Sequence, residues 1–202
     1  MSVAAMVGDA VVSVGDVDAS EERLRATLQA SALPRPHTSE GRQLRRWLVQ
    51  VLTTARVVAA EAHALGLTEA GAPAEDELLP DVAARLEIGS VGASALEEPL
   101  GRALFVHLVG AMTVSADEVA DYHRRNPLRF ARRPVGDGAW LGSPVARPLD
   151  EVRADIAEHL LASAQRREFR RWLDVRRAEL VALAPGYEHP GDPGQPDNTH
   201  KH

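Results

Sequence analysis

The sequence predicts a mainly α-helical protein with a small N-terminal β-hairpin and a long helix that returns from the C-terminal half onto the N-terminal helices. Three observations carry this: an apolar stripe from Leu44 to Leu65, a second from Val152 to Leu183, and two short apolar runs on either side of Gly8-Asp9. Apolar residues spaced by three and four line one face of a helix, whereas short runs rich in β-branched residues and joined by two turn residues pair as a hairpin.

In order along the chain, AAMVGDAVVSVGDV supplies the hairpin, and a helix is expected to begin between Asp16 and Ser20. It carries Leu24 and Leu28 and ends at Leu33-Pro34-Arg35-Pro36, because a proline bars the residue before it from helical geometry. Leu44, Trp47, Leu48, Val51, Leu52, Ala55, Val58, Ala59, Ala62 and Leu65 then trace one continuous stripe, with Gly66 placed as a C-terminal cap. The acidic stretch TEAGAPAEDELLP is broken by Gly71, Pro73 and Pro80, so it reads as a loop with at most one helical turn before a short helix from Asp81 to Leu86. One helix is expected from Ala93 to Val109, with Pro99 in its first turns or kinking it. Ser115-Ala116-Asp117-Glu118 is a capping box, and its helix ends at Asn126-Pro127. Residues 132–148, rich in Gly and Pro, form a connector, and from Leu149 the chain is helical until Pro185-Gly186 stop it. The organisation is one helical domain over 1–183 and a Pro-, Gly- and His-rich tail over 184–202.

With 202 residues, 45% of them apolar, the chain can bury one core without disulfides or metal. It has no cysteine, which excludes disulfides, thiolate metal sites and a cysteine nucleophile. The net charge of −6 comes from interspersed charges, and the arginine pairs lie among acids, so no nucleic-acid surface is expected. MSVAAMVGDAVVSVGDVDAS lacks a basic leader, and Gly8 and Asp9 interrupt its apolar stretch. Neither an export signal nor a membrane contact is expected, and the location is read as cytoplasmic. GDGAWLG, residues 136–142, lacks the lysine of a phosphate loop, so no nucleotide cofactor is expected.

The order of four pieces carries a resemblance: VGDAVVSVGDV leading into a helix, RRWLVQVLTTARVVAAEAHALGL, VSADEVADYHRRNPLRFARRP, and PLDEVRADIAEHLLASAQRREFRRWLDVRRAEL. Together they resemble the SurA-type chaperone and parvulin-class peptidyl-prolyl isomerase family over residues 3–183. In that family a parvulin domain follows the segment like NPLRF, and here only the connector stands in its place. The resemblance therefore implies a SurA N-terminal-like helical fold without isomerase activity. Its ligand would be a peptide, a partner protein or an apolar small molecule in a groove between helices. Absence of an export signal and the tail after Pro185 are departures from the family.

Of eight histidines, His189, His200 and His202 fall in the last sixteen residues together with Asp192 and Asp197. Imidazoles and carboxylates suit a divalent transition metal, whether zinc, copper, iron or nickel, and these five residues are the candidate ligands. Tyr187, His189 and His200 are the candidate catalytic groups of a metal-dependent enzyme built on the same scaffold. The alternatives are a tail without a site and an accessory subunit whose long helices form a homodimer. Trp140, in the glycine-flanked connector, is a candidate ligand-contacting aromatic or an anchor, while Trp47 and Trp172 are read as core. His63, His107, His123 and His159 are read as surface or satisfied core residues.

Overall fold

The computed structural model describes residues 2–27, 30–132 and 144–189. β1 (Val3–Val7) and β2 (Ala10–Ser13) form the expected hairpin, with Val7 opposite Ala10 across Gly8-Asp9. Gly8 takes φ of 54°, a left-handed conformation that suits the first central position of a two-residue hairpin turn. α1 (Val14–Arg25) starts before the predicted Asp16–Ser20 window. The Ser13 hydroxyl accepts from the Asp16 N–H at 3.1 Å, and the Asp16 carboxylate accepts from the Ser13 N–H at 2.8 Å, so the strand runs directly into a capped helix. Leu28 lies outside the described residues.

α2 (Ser39–Ala64) is the central helix, capped by Thr38. It contacts the sheet, α1, and the later helices α5, α6 and α8 introduced below. Its buried face is rotated from the predicted stripe: Ala55, Ala59 and Leu65 are exposed, whereas Arg46, Gln50, Thr53 and Thr54 are buried beside Val49 and Val57. The Thr53 hydroxyl bonds back to the carbonyls of Val49 (2.8 Å) and Gln50 (3.1 Å), which lets a polar residue sit inside.

α3 (Glu75–Leu78), α4 (Val82–Ile88, capped by Asp81) and α5 (Ser90–Ala95) are short, and α6 runs from Pro99 to Val109. The single helix expected from Ala93 to Val109 is thus two. Pro99 occupies the first helical position of α6 and bars Glu98 from continuing α5. A Cβ on Gly101 would lie 1.8 Å from the Ala95 carbonyl oxygen, so the two helices meet with their backbones in close approach.

α7 (Ala116–Arg125) opens on the expected capping box, Ser115 with Glu118. The connector is closed at its base by paired backbone bonds of 3.0 Å between Arg132 and Val145. α8 (Leu149–Leu180) spans 32 residues and ends three residues earlier than the apolar stripe suggested. Val181–Leu183 instead forms β3, antiparallel to β1, giving the sheet order β2-β1-β3. A run of Val, Ala and Leu continues a helical stripe in sequence but extends here because β1 offers an unpaired edge.

Two apolar clusters share α8. The larger gathers the sheet, α2, α4, α5 and α6 around Phe169 and Leu173, and the smaller gathers Val119, Val152 and Ile156 with Tyr122 and Phe130 at its margin. Trp47 and Trp172 pack at the edge of the larger cluster, half-buried rather than interior. No helix among the described residues is long and apolar enough to cross a membrane.

Candidate functional site

Where α8 passes from the smaller cluster to the larger, a cleft of about 730 Å³ opens between it and α3–α4. Glu77, Pro80, Asp81, Ala83, Ala84, Leu86 and Glu87 form one wall, Asp155, Glu158, His159, Ala162 and Arg166 of α8 the other, and Arg129 stands at one end. Leu86 is 75% exposed and Val82, on the same short helix, 71% exposed. Leu86 therefore offers a ligand in the cleft an apolar side chain at no cost in core packing.

The walls are joined by one ionic knot. Arg166, buried on α8, donates from Nε to Glu87 at 2.7 Å and from Nη1 to the Leu78 carbonyl at 3.3 Å. The Glu87 carboxylate also accepts from the Ser163 hydroxyl and, at 3.4 Å, from Arg167. Burial pushes the Glu87 carboxyl up, but Ser163 and Arg166 outweigh it and hold the group below its ordinary range. Farther along the wall, His159 Nε2 lies 3.2 Å from the Tyr122 hydroxyl, and Phe130 meets both rings edge-on.

Burial pushes the His159 imidazole below its ordinary range, Arg129 acts in the same direction and Glu87 opposes. The unfolded chain consequently takes up this proton before the folded one. Above about pH 6.5 both are neutral, and below it stability falls until the lower, folded-state pKa is passed. His159→Gln is expected to remove this slope: urea unfolding should show wild type losing stability relative to the variant as pH falls below about 6.5, with no divergence at higher pH.

Of the site residues read from the sequence, Tyr187 and His189 are described. Trp140, Asp192, Asp197, His200 and His202 lie outside the described residues. Tyr187 packs against the larger cluster, with Arg45 beside its hydroxyl. His189 is exposed at a second, smaller pocket lined by Arg170, Asp174 and Arg177. Among the described residues, no three His, Asp or Glu side chains form a group that could hold a metal ion. No motif in the sequence marks Glu87, Arg166 or Arg129 as cleft residues, and His159 sits in an ordinary helical context. One signal was present: the predicted α8 stripe lapses between Leu161 and Phe169, and the buried residues in that gap are Ser163 and Arg166. A polar residue in an inward position calls for a partner on another element.

A family model described as a family of unknown function (DUF7158) matches residues 3–40, which cover the hairpin, α1 and the start of α2. No curated protein and no solved structure matches the chain.

Proposed function

We propose that this protein binds an extended polypeptide segment in the cleft between α4 and α8, as a SurA-like helical scaffold without an isomerase domain. The observation that carries the reading is the cleft itself: about 730 Å³, open to solvent, with the exposed Leu86 among apolar and carboxylate side chains. Five carboxylates line it against two arginines, and one of those arginines is spent on Glu87. Glu158 has no cation beside it among the described residues, and Asp155 has only Arg147 at 3.8 Å. Such walls suit a peptide that interleaves leucines with basic residues better than they suit an apolar small molecule.

A fluorescein-labelled unstructured peptide of alternating Leu and Arg, titrated by anisotropy, tests this. It should saturate the protein, weaken with added salt, and bind about tenfold more tightly than the matching Leu/Glu peptide. Leu86→Asp should weaken binding by about tenfold or more, since a leucine buried against a ligand contributes about 1.5–3 kcal/mol. The fold should be nearly unaffected, because Leu86 is solvent-facing. Equal affinity for the two peptides, or an unchanged affinity in Leu86→Asp, rejects the cleft as the peptide site.

A further inference from the structure

Seven arginines lie on α8. Arg153, Arg166, Arg167, Arg171 and Arg176 are each ion-paired with a carboxylate. Among the described residues Arg170 and Arg177 have no such partner, and both line the second pocket, of about 190 Å³, where α4 turns into α5 and His189 arrives from the C-terminal side. Seven residues apart, they project from one face of α8, two turns from each other. Arg170 donates to the Glu87 carbonyl at 3.3 Å, and Arg177 donates from Nη2 to the Gln50 amide oxygen. The buried Arg177 Nε and the Gln50 amide nitrogen have no acceptor among the described residues. Burial pushes the Arg177 guanidinium down and only Asp174, too distant for an ion pair, opposes it.

A half-buried guanidinium without a carboxylate is costly, and an anion brought to it recovers that cost. Ser90 adds a hydroxyl on the pocket wall. It accepts from the Trp47 indole at 3.2 Å, which leaves its own hydrogen for an acceptor. Two guanidinium groups and one carboxylate, Asp174, line the pocket beside His189, so its net charge is positive and favours an anion over a cation.

We propose that this pocket binds a phosphate group, free or as a small monoester, with Arg170 and Arg177 as its cationic ligands and Ser90 and His189 completing the set. Forked guanidinium groups match phosphate oxygens, which accept several charge-assisted hydrogen bonds. This inference is independent of the peptide cleft, which lies on other residues of α8.

Calorimetric titration of the full chain with inorganic phosphate and with phenyl phosphate is the test. Saturable binding of both at similar affinity supports recognition of the free group, and saturation by phenyl phosphate alone supports recognition of the monoester. Arg177→Gln should weaken binding by about tenfold or more. Arg170→Gln, at an exposed position that the fold tolerates, should do the same and decides the matter if Arg177→Gln melts early. No saturable heat with either probe, an unchanged affinity in Arg170→Gln, or zinc binding that His189→Ala abolishes while neither phosphate probe binds, overturns the proposal.

Discussion

Phe169→Ala is expected to destabilise the protein by about 3–5 kcal/mol, measured by urea unfolding. Phe169 is completely buried where α8 crosses α6, with the Phe105 ring at 5.1 Å and the Trp172 ring stacked at 5.8 Å. Truncating it removes the largest fully buried side chain among the described residues and leaves a cavity bounded by several helices. Trp172→Ala should have a smaller effect, because that ring lies half-buried at the edge of the cluster. A loss under about 1 kcal/mol for Phe169→Ala would mean that α8 is not packed on α2 and α6 as one cooperative unit.

The second large effect concerns the knot between the cleft walls. Glu87→Ala leaves Arg166, 7% exposed, with only the Leu78 carbonyl to satisfy its charge, and is expected to cost about 3 kcal/mol. Arg166→Met in that background should recover most of the loss, because an apolar side chain of similar length needs no anion. The held-down Glu87 carboxyl adds a pH signature. Its stabilisation is present above the ordinary glutamate range and is lost as pH falls through the lower, folded-state pKa. A double variant no more stable than Glu87→Ala alone would show that the two residues do not act as a pair, and a thermodynamic cycle measured by urea unfolding reads this directly.

Much of the architecture is written locally. The Gly8-Asp9 hairpin, the end of α2 before Gly66, the Ser115–Glu118 capping box and the start of α8 at Leu149 follow from turn chemistry and periodicity within a few residues of each feature. Features that depend on distant residues were not legible. Val181–Leu183 becomes a strand only because β1 lies alongside, and the α2 face rotates because Arg46 finds the Gly186 carbonyl at 3.1 Å and Gln50 finds Arg177. The same holds for the cleft: Glu87 and Arg166 are 79 residues apart, and neither position carries a motif. The helix break at Glu98-Pro99 and the Ser13–Asp16 cap were local signals that the continuity of the apolar pattern outweighed. In the tail, composition alone suggested a metal site, and the described part of that segment places His189 among arginines.

Proximity labelling reads directly whether the α4–α8 cleft receives an extended polypeptide. The chain has no cysteine, so a benzophenone can be placed at a single site through Ala83→Cys on the cleft wall or through Ala178→Cys at the exposed far end of α8. Irradiation with the labelled Leu/Arg peptide should crosslink it to the Ala83 position and not to the Ala178 position, and excess unlabelled peptide should suppress the product. Equal crosslinking at both positions, or none at Ala83 under saturating peptide, would rule out the cleft as the peptide site.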